Sequence, residues 1–581
     1  MDKRIDNKLK NMKRILSFLA MALIIPAMTY AGTGKVLKID FSSPVVENSS
    51  GMQFDISSLL GGGSSASPVT LLSYVRAIDA AAQDKNIRMI YMTPDKISAG
   101  MSQVEEIRAA LERFRASGKE IVCYCSNFSN LTYYLASVAD KVILDPASES
   151  MVLGLATRQF FLKDILDALE IEVQLIRHGK YKSAGEMYIR NSSSPENRQQ
   201  NQEMIDAIWD GWSTQIAASR GISVSDFNSW IDNLELVLPQ DYKDRGLIDE
   251  IWYRDQVDEY ICGQYGVDDI KLVSYVKLAK YADKLKKGKR KNRIAVIYAD
   301  GEIVMEGSSD NIVGPKLAAT IEKVRKDRKV KAVVFRVNSP GGSAQAAESI
   351  RRSIEMLKKD KPVIVSFGDY AASGGYWISA AGDRIYTNDC TLTGSIGVFS
   401  IVPSFGNALR KNLKVNMETQ GTSAHSDMIT GVRRLDDTEV EYFQKSVEDI
   451  YDQFTTIVSD GRGMAKDRVD ELGQGRVWAG SEALKNGLAD VRGGLVDALA
   501  YAAEKAGLEA GEYRVNSYPE AKDVNLMSLL MGSEVPDPDE TATSHVQENA
   551  VLEELFPAVS FIREMSQPQN MLRMESVIEF K

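Results

Sequence analysis

Histidine is scarce in this 581-residue chain, with only His178, His425 and His545. Three scattered imidazoles leave too few donors for a multi-histidine metal site. They also narrow any Ser-His arrangement to His425, which lies in a Gly/Thr/Ser loop. The four cysteines (Cys123, Cys125, Cys262, Cys390) are too few for a disulfide framework. Cys123 and Cys125 sit in an apolar run and read as buried thiols rather than metal ligands. Net positive charge is missing as well: the formal charge is −10, which argues against nucleic acid as the main partner.

The composition that is present is ordinary, 44% hydrophobic and 26% charged, and the length predicts several domains with large cores. Near the amino terminus, Lys3, Arg4, Lys8, Lys10, Lys13 and Arg14 precede an apolar run, Ile15 to Ala31, broken by Pro26. Residues 1–34 therefore read as a signal peptide or membrane anchor, with Thr29-Tyr30-Ala31 before Gly32 suiting cleavage. The run falls slightly short of the about 20 residues of a spanning helix. Both versions put the basic end inside and the bulk of the chain outside the cytoplasm.

Internal repetition organises the remainder. Val330–Val334 resembles Ile87–Tyr91, Glu348–Arg351 resembles Glu105–Arg108, and Tyr376–Asp383 resembles Tyr133–Asp140. Ile350 follows Ile107 by 243 residues, and Asp383 and Gly397 follow Asp140 and Gly154 by the same interval. Lys485–Asp490 matches Asp244–Asp249 at an interval of 241. Two homologous halves are expected, 55–270 and 294–507, joined by a basic linker over 271–293 and followed by a tail, 508–581. Short apolar strands alternating with amphipathic helices (Lys316–Lys326, Ala346–Lys358) predict an α/β fold with parallel strands. Thr438 to Asp460 reads as one long helix, with Asp437 as its candidate cap. In the tail, Val551 to Met565 is a candidate terminal helix.

The halves differ where chemistry would sit. Ser373, in AASGG, and Ser395, in TGSIG, are serines in glycine-flanked turns, where backbone N–H groups can approach a substrate. Their counterparts in the first half are Asn130 and Val152, and the pair Gly341-Gly342 falls on Ser98-Ala99. The first half instead keeps Gly179-Lys-Tyr-Lys-Ser-Ala-Gly185, where the second half has Gly421-Thr-Ser-Ala-His425 and no lysine. Lys182, with Lys180 as competitor, could then act as base for a serine of the other half, provided burial keeps its amine neutral. Base rates alone would make it a surface charge.

The motifs NSPGGS, DYAASGGYWIS, LTGSIGVF, GKYKSA and RVWAGSEALKNGLAD resemble the long form of the signal peptide peptidase A (protease IV) family, over roughly residues 50 to 520. That family belongs to the Clp-protease/crotonase superfamily. The resemblance implies two tandem ClpP/crotonase-like ββα-spiral domains. It implies Ser373 as nucleophile, Lys182 as general base, Ser395 orienting the lysine, and Gly374 with Gly341 or Gly342 as oxyanion donors. It calls for no cofactor and no metal. The implied partners are apolar peptides such as signal peptide remnants, the bacterial inner membrane through the N-terminal segment, and further copies in a homotetramer. The implied setting is the envelope, with the catalytic bulk on the periplasmic side.

Other readings are a Ser-His machine using His425, an acyl-CoA enzyme of the crotonase class, and a non-catalytic ring scaffold for envelope peptides. Export counts against CoA chemistry, which is cytoplasmic. The intact Ser373, Ser395 and Lys182 count against a decayed site.

Overall fold

The computed structural model describes residues 34–48, 67–285, 290–520 and 571–573. The first half supplies β1 (Lys35–Ile39), β2 (Val45–Val46), β3 (Val69–Thr70), β4 (Ile87–Met92), β5 (Glu120–Cys125), β6 (Lys141–Leu144), β7 (Glu172–His178), β8 (Glu250–Ile251) and β9 (Tyr275–Lys277). The second supplies β10 (Asn292–Asp300), β11 (Glu302–Val304), β12 (Asn311–Val313), β13 (Val330–Ser339), β14 (Gly341–Ser343), β15 (Val363–Ala372), β16 (Arg384–Thr387), β17 (Leu392–Gly394), β18 (Val398–Ser404), β19 (Val477–Ala479), β20 (Val491–Arg492) and β21 (Tyr513–Tyr518). A last strand, β22, spans Met571–Arg573.

The duplication is visible in the sheets. The first half forms a parallel sheet in the order β8-β6-β5-β4-β1-β9. The second half repeats it as β20-β16-β15-β13-β10-β21, also parallel. The α/β reading with two tandem units of one architecture is what the structure has. Continuous apolar runs such as Ile294–Ala299 suit these central strands, whose two faces are covered. β15 is long enough to pair twice, with β16 through Ile364–Ser366 and with β17 through Tyr370–Ala372. Ser373 follows at once.

Helices cover the sheets by burying one stripe each. In Ala344–Lys358 the stripe is Ala346, Ala347, Ile350, Ile354 and Leu357, and Ser343 caps the start by accepting the Ala346 N–H. The long helix runs Asp437–Arg462 and its cap is Asp436, one residue ahead of the expected Asp437. The reason is Glu439: its carboxylate accepts the Asp436 N–H at 3.0 Å while Asp436 accepts the Glu439 N–H at 2.8 Å, a capping box that fixes the start.

The sheets draw strands from outside the stretches read as halves. β1 precedes residue 55, β9 lies in the expected linker, and β21 lies beyond 507. The basic stretch is folded as far as Leu285: helix Leu278–Leu285 buries Leu278, Tyr281 and Ala282 against the first core and leaves its lysines outward. The apolar run at 15–31 and the candidate helix at 551–565 lie outside the described residues. Among the described residues, no helix is long and apolar enough to cross a membrane.

A smaller sheet joins the halves in the order β12-β11-β14-β22-β18-β7. Its β7 comes from the first half and runs antiparallel to β18 of the second, from His178 opposite Val398 to Glu172 opposite Ser404.

Candidate active site

Three chain segments converge where β7 meets β18. The first is the exit of β15. Ser373 has φ 54° and ψ −115°, a backbone region that non-glycine residues rarely adopt. Its N–H donates to Gly394 O at 2.8 Å, and its carbonyl accepts the Trp377 N–H at 2.9 Å, so the turn is held at both ends. The second segment is the exit of β17, where Ser395 has φ 50° and donates its N–H to Arg476 O at 2.7 Å.

The third segment follows β7. Gly179 turns the chain with φ 106°, and Tyr181 donates its N–H to Gln474 O at 2.8 Å. Arg177 holds the turn from below, donating to Lys182 O at 2.6 Å and pairing with the buried Glu186 at 3.2 Å. Lys182 thereby extends into the second half. Its Nζ lies 2.9 Å from Ser373 Oγ, 2.9 Å from Ser395 Oγ and 3.2 Å from Ser395 O. All three side chains are buried: Lys182 is 1% exposed, Ser373 0% and Ser395 2%. The Phe399 ring centroid is 5.8 Å from the amine, giving the site an apolar wall.

Lys180, by contrast, is exposed and lies over the Tyr181 ring. His425 Nδ1 contacts Glu439 Oε1 at 2.9 Å, and its side chain is about half exposed. That Glu439 is also held by Arg433 at 2.7 Å, which fixes it low in the carboxylate range, at about 2. The structure thus brings together Ser373, Ser395 and Lys182, and pairs His425 elsewhere.

The glycines stand beside Ser373. An added Cβ on Gly374 would be 3.2 Å from the Gly341 Cα and 3.3 Å from the Gly342 N, so these backbones touch. Gly342 has φ 143° and lies against the Ile303 carbonyl, leaving no room for a side chain. The Gly341 N–H donates to Ser339 Oγ at 3.2 Å.

In the first half, the place of Ser373 is taken by Asn130, whose carboxamide ties down a loop. It donates to Gly154 O at 2.8 Å and accepts the N–H groups of Leu153 and Gly154 at 3.0 and 3.1 Å. The first half therefore has a loop-bracing carboxamide, and no hydroxyl, at this position.

Sequence reasoning passed over Gln474 and Gly475, on which the lysine turn rests. A Cβ on Gly475 would lie 2.5 Å from Lys182, and one on Gly397 would lie 2.6 Å from Gly475. The available signal was Gly473-Gln474-Gly475 just ahead of β19, two glycines that a solvent loop does not need.

Comparison with known proteins agrees with this architecture. The family profile described as Peptidase family S49 matches residues 113–265 and 355–509, once in each half, and that of Clp protease matches 286–390. The chain is similar to Protease 4 of Haemophilus influenzae, at 34% identity over 451 residues, 74% of this chain and 72% of that protein. It is similar to Protease 4 of Salmonella typhi at 36% identity over 475 residues, 80% of this chain and 76% of that protein. It is also similar to the chloroplastic serine protease SPPA of Arabidopsis thaliana, at 34% identity over 439 residues, 74% of this chain and 64% of that protein.

Proposed function

This chain belongs to peptidase family S49 and is a serine peptidase, and on that premise we propose that it cleaves peptides with a Ser373–Lys182 dyad. The observation that carries the reading is the 2.9 Å approach of the buried Lys182 Nζ to Ser373 Oγ. A neutral amine has two N–H groups and one lone pair. With the N–H groups directed at Ser395 Oγ and Ser395 O, at 2.9 and 3.2 Å, the lone pair is left for the Ser373 hydroxyl. Burial disfavours the ammonium form and favours this base.

Lys182 takes the Ser373 proton as Oγ attacks the scissile carbonyl, and returns it to the leaving amine as the C–N bond breaks. The acyl-enzyme is then hydrolysed by water, activated by the same amine. The N–H groups of Gly374 and of Gly341 or Gly342 hold the oxyanion. The long Gly341–Ser339 contact is a neutral hydrogen bond that a charged oxygen would outcompete. No cofactor or metal has a step in this scheme.

The substrates we propose are apolar peptides, cleaved signal peptides among them; a relative from Enterococcus faecium, 34% identical over 221 residues, is named a putative signal peptide peptidase. We place the protein at the bacterial inner membrane, with its peptidase halves on the outer side, from the basic and apolar pattern of residues 1–34. Assembly of further copies, as a homotetramer, is supported by exposed apolar side chains. Phe160, Met151 and Leu153 protrude from the first half, and Leu413, Met417 and Ile429 from the second.

A serine-reactive acylating probe tests the dyad. The wild-type protein is expected to take up one label, on Ser373, and Ser373→Ala and Lys182→Ala to take up none and to lose peptide hydrolysis. Full labelling and activity in Lys182→Ala would overturn the dyad.

A further inference from the structure

At the constant interval of 243 residues, the surroundings of Ser373 fall position by position on the first half. Ser373 falls on Asn130, Gly374 on Leu131, Gly342 on Ala99, Pro340 on Ile97 and Ala344 on Met101. These first-half residues line one cavity of about 490 Å³. Ligand pockets commonly span about 300 to 1,000 Å³. The second half contributes Tyr370 of β15 and Leu392 of β17 to the lining, and Trp212 adds an indole.

The exchanges between the halves run one way. Chemistry is removed: no hydroxyl stands at 130, and side chains stand at 131 and 99 where the second half has glycine. The start of helix Met101–Ala116, a place suited to an anion, is already taken. Asp369 of the second half fills it, its Oδ1 accepting the Ser102 N–H at 2.7 Å. Gly100 makes room for that carboxylate, since a Cβ there would stand 1.7 Å from Asp369 Oδ2. Apolar surface is added in return, by Leu131, Met101 and Ile97. The place of the catalytic site has lost its reactive groups and kept its space.

Charge identifies the occupant. Two carboxylates, Asp369 and the exposed Asp95, line the cavity, and among the described residues no lysine or arginine does. Asp95 is fixed in place by accepting the Ser126 and Asn127 N–H groups at 2.7 and 3.3 Å. An apolar recess with fixed negative charge suits an apolar peptide segment beside a basic side chain, and repels a carboxylate.

We propose that this cavity is a second, non-catalytic peptide site, which takes an apolar segment flanked by lysine or arginine. The inference deepens the proposed substrate class and rests on that reading: a signal peptide carries basic residues ahead of its apolar core. A peptide held there stays at high effective concentration for the nucleophile of the same chain.

The test uses full-length Ser373→Ala protein and two N-acetylated, photoreactive peptides. They share one apolar core, led by two lysines in one and by two serines in the other. The lysine peptide is expected to cross-link saturably to residues 97–101 and 129–132. Asp95→Asn is expected to weaken its binding about fivefold and to leave that of the serine peptide unchanged. The fold accommodates this exchange: Asn338, the counterpart of Asp95, likewise accepts a main-chain N–H, that of Tyr370 at 3.1 Å. Leu131→Ser is expected to weaken both peptides about tenfold. Cross-links confined to the second half, or an affinity for the lysine peptide that neither substitution changes, overturn the second site and leave the dyad standing. Wild-type protein that cleaves neither peptide overturns the apolar-substrate reading, while the cross-links still report whether the cavity is occupied.

Discussion

Gly475 has φ 78°, and a Cβ placed there would stand 2.5 Å from the main-chain N and Cβ of Lys182. The amine's position relative to two hydroxyls therefore depends on the absence of one methyl group in another half of the chain. Gly475→Ala is expected to push the lysine turn away and to lower kcat by about a hundredfold, the scale of misplacing a catalytic group by about 1 Å. KM should stay near its wild-type value, since no peptide-binding strand is altered. Steady-state kinetics with a peptide substrate separate the two, and an unchanged kcat would show that the turn has slack. Ser373 was legible at this scale because its counterpart Asn130 has lost the hydroxyl while the surrounding motif is kept. Lys182 was legible for the complementary reason. Gly475 was not, because close approach between remote backbones leaves no pattern in either segment alone.

At the scale of elements, helix Met101–Ala116 carries acids into the junction between the halves. Burial, reinforced by the nearby Asp389 charge, pushes the Glu105 carboxyl up to about 7, and its Oε1 has no hydrogen-bond partner among the described residues. Asp300 and Asp369 are pushed up to about 6, chiefly by burial with the Glu47 charge adding to it. A raised carboxyl pKa means that the folded state binds more protons than the unfolded chain between the two values. The stabilisation from these groups is complete below about pH 4 and is lost as pH rises through about 6 to 7. Glu439, held low by Arg433 and the capping box, acts oppositely, and its contribution disappears as pH falls from about 4 towards 2. Glu105→Gln is expected to stabilise the protein by up to about 3 kcal/mol at about pH 8 and much less at about pH 5. Urea midpoints at the two pH values check this; equal gains at both would mean that Glu105 is not the titrating group. The helix itself was readable from its repeat in Glu348–Arg351. The setting of Glu105 was not, since the Asp389 charge that raises its pKa and the Cys390 group that hydrogen-bonds it belong to the other half.

For the whole molecule, the joint between the halves includes an ion cluster at its centre. Arg336, with 0% side-chain exposure, pairs with Glu47 at 2.9 Å and with Glu106 at 2.8 Å, both carboxylates from the first half. It also donates to Ser366 Oγ and Phe367 O at 2.9 and 2.6 Å, on the strand that leads into Ser373. Removing the guanidinium would strand two buried carboxylates. Arg336→Met is expected to cost about 3 to 5 kcal/mol, and the triple change that adds Glu47→Gln and Glu106→Gln to recover much of it. Denaturant unfolding of both variants, with activity measured alongside, checks the prediction. Recovery of stability without recovery of activity would show that the cluster also sets the approach of Lys182 to Ser373.

The sequence by itself determined the duplication, the α/β class of each half and which half carries Ser373 and which Lys182, because these rest on local patterns repeated at a constant interval. The family motifs around Ser373, Ser395 and Lys182 were equally plain. Only the tertiary structure decided how the halves meet. The antiparallel register of β7 on β18 carries Lys182 across, glycines at 475 and 397 let backbones touch, and β22 fills the gap beside Gly341 and Gly342. Each of these is a pairing of segments far apart in the chain. Such pairing is set by burial and by the satisfaction of backbone hydrogen bonds in the folded whole, which no single stretch of sequence encodes.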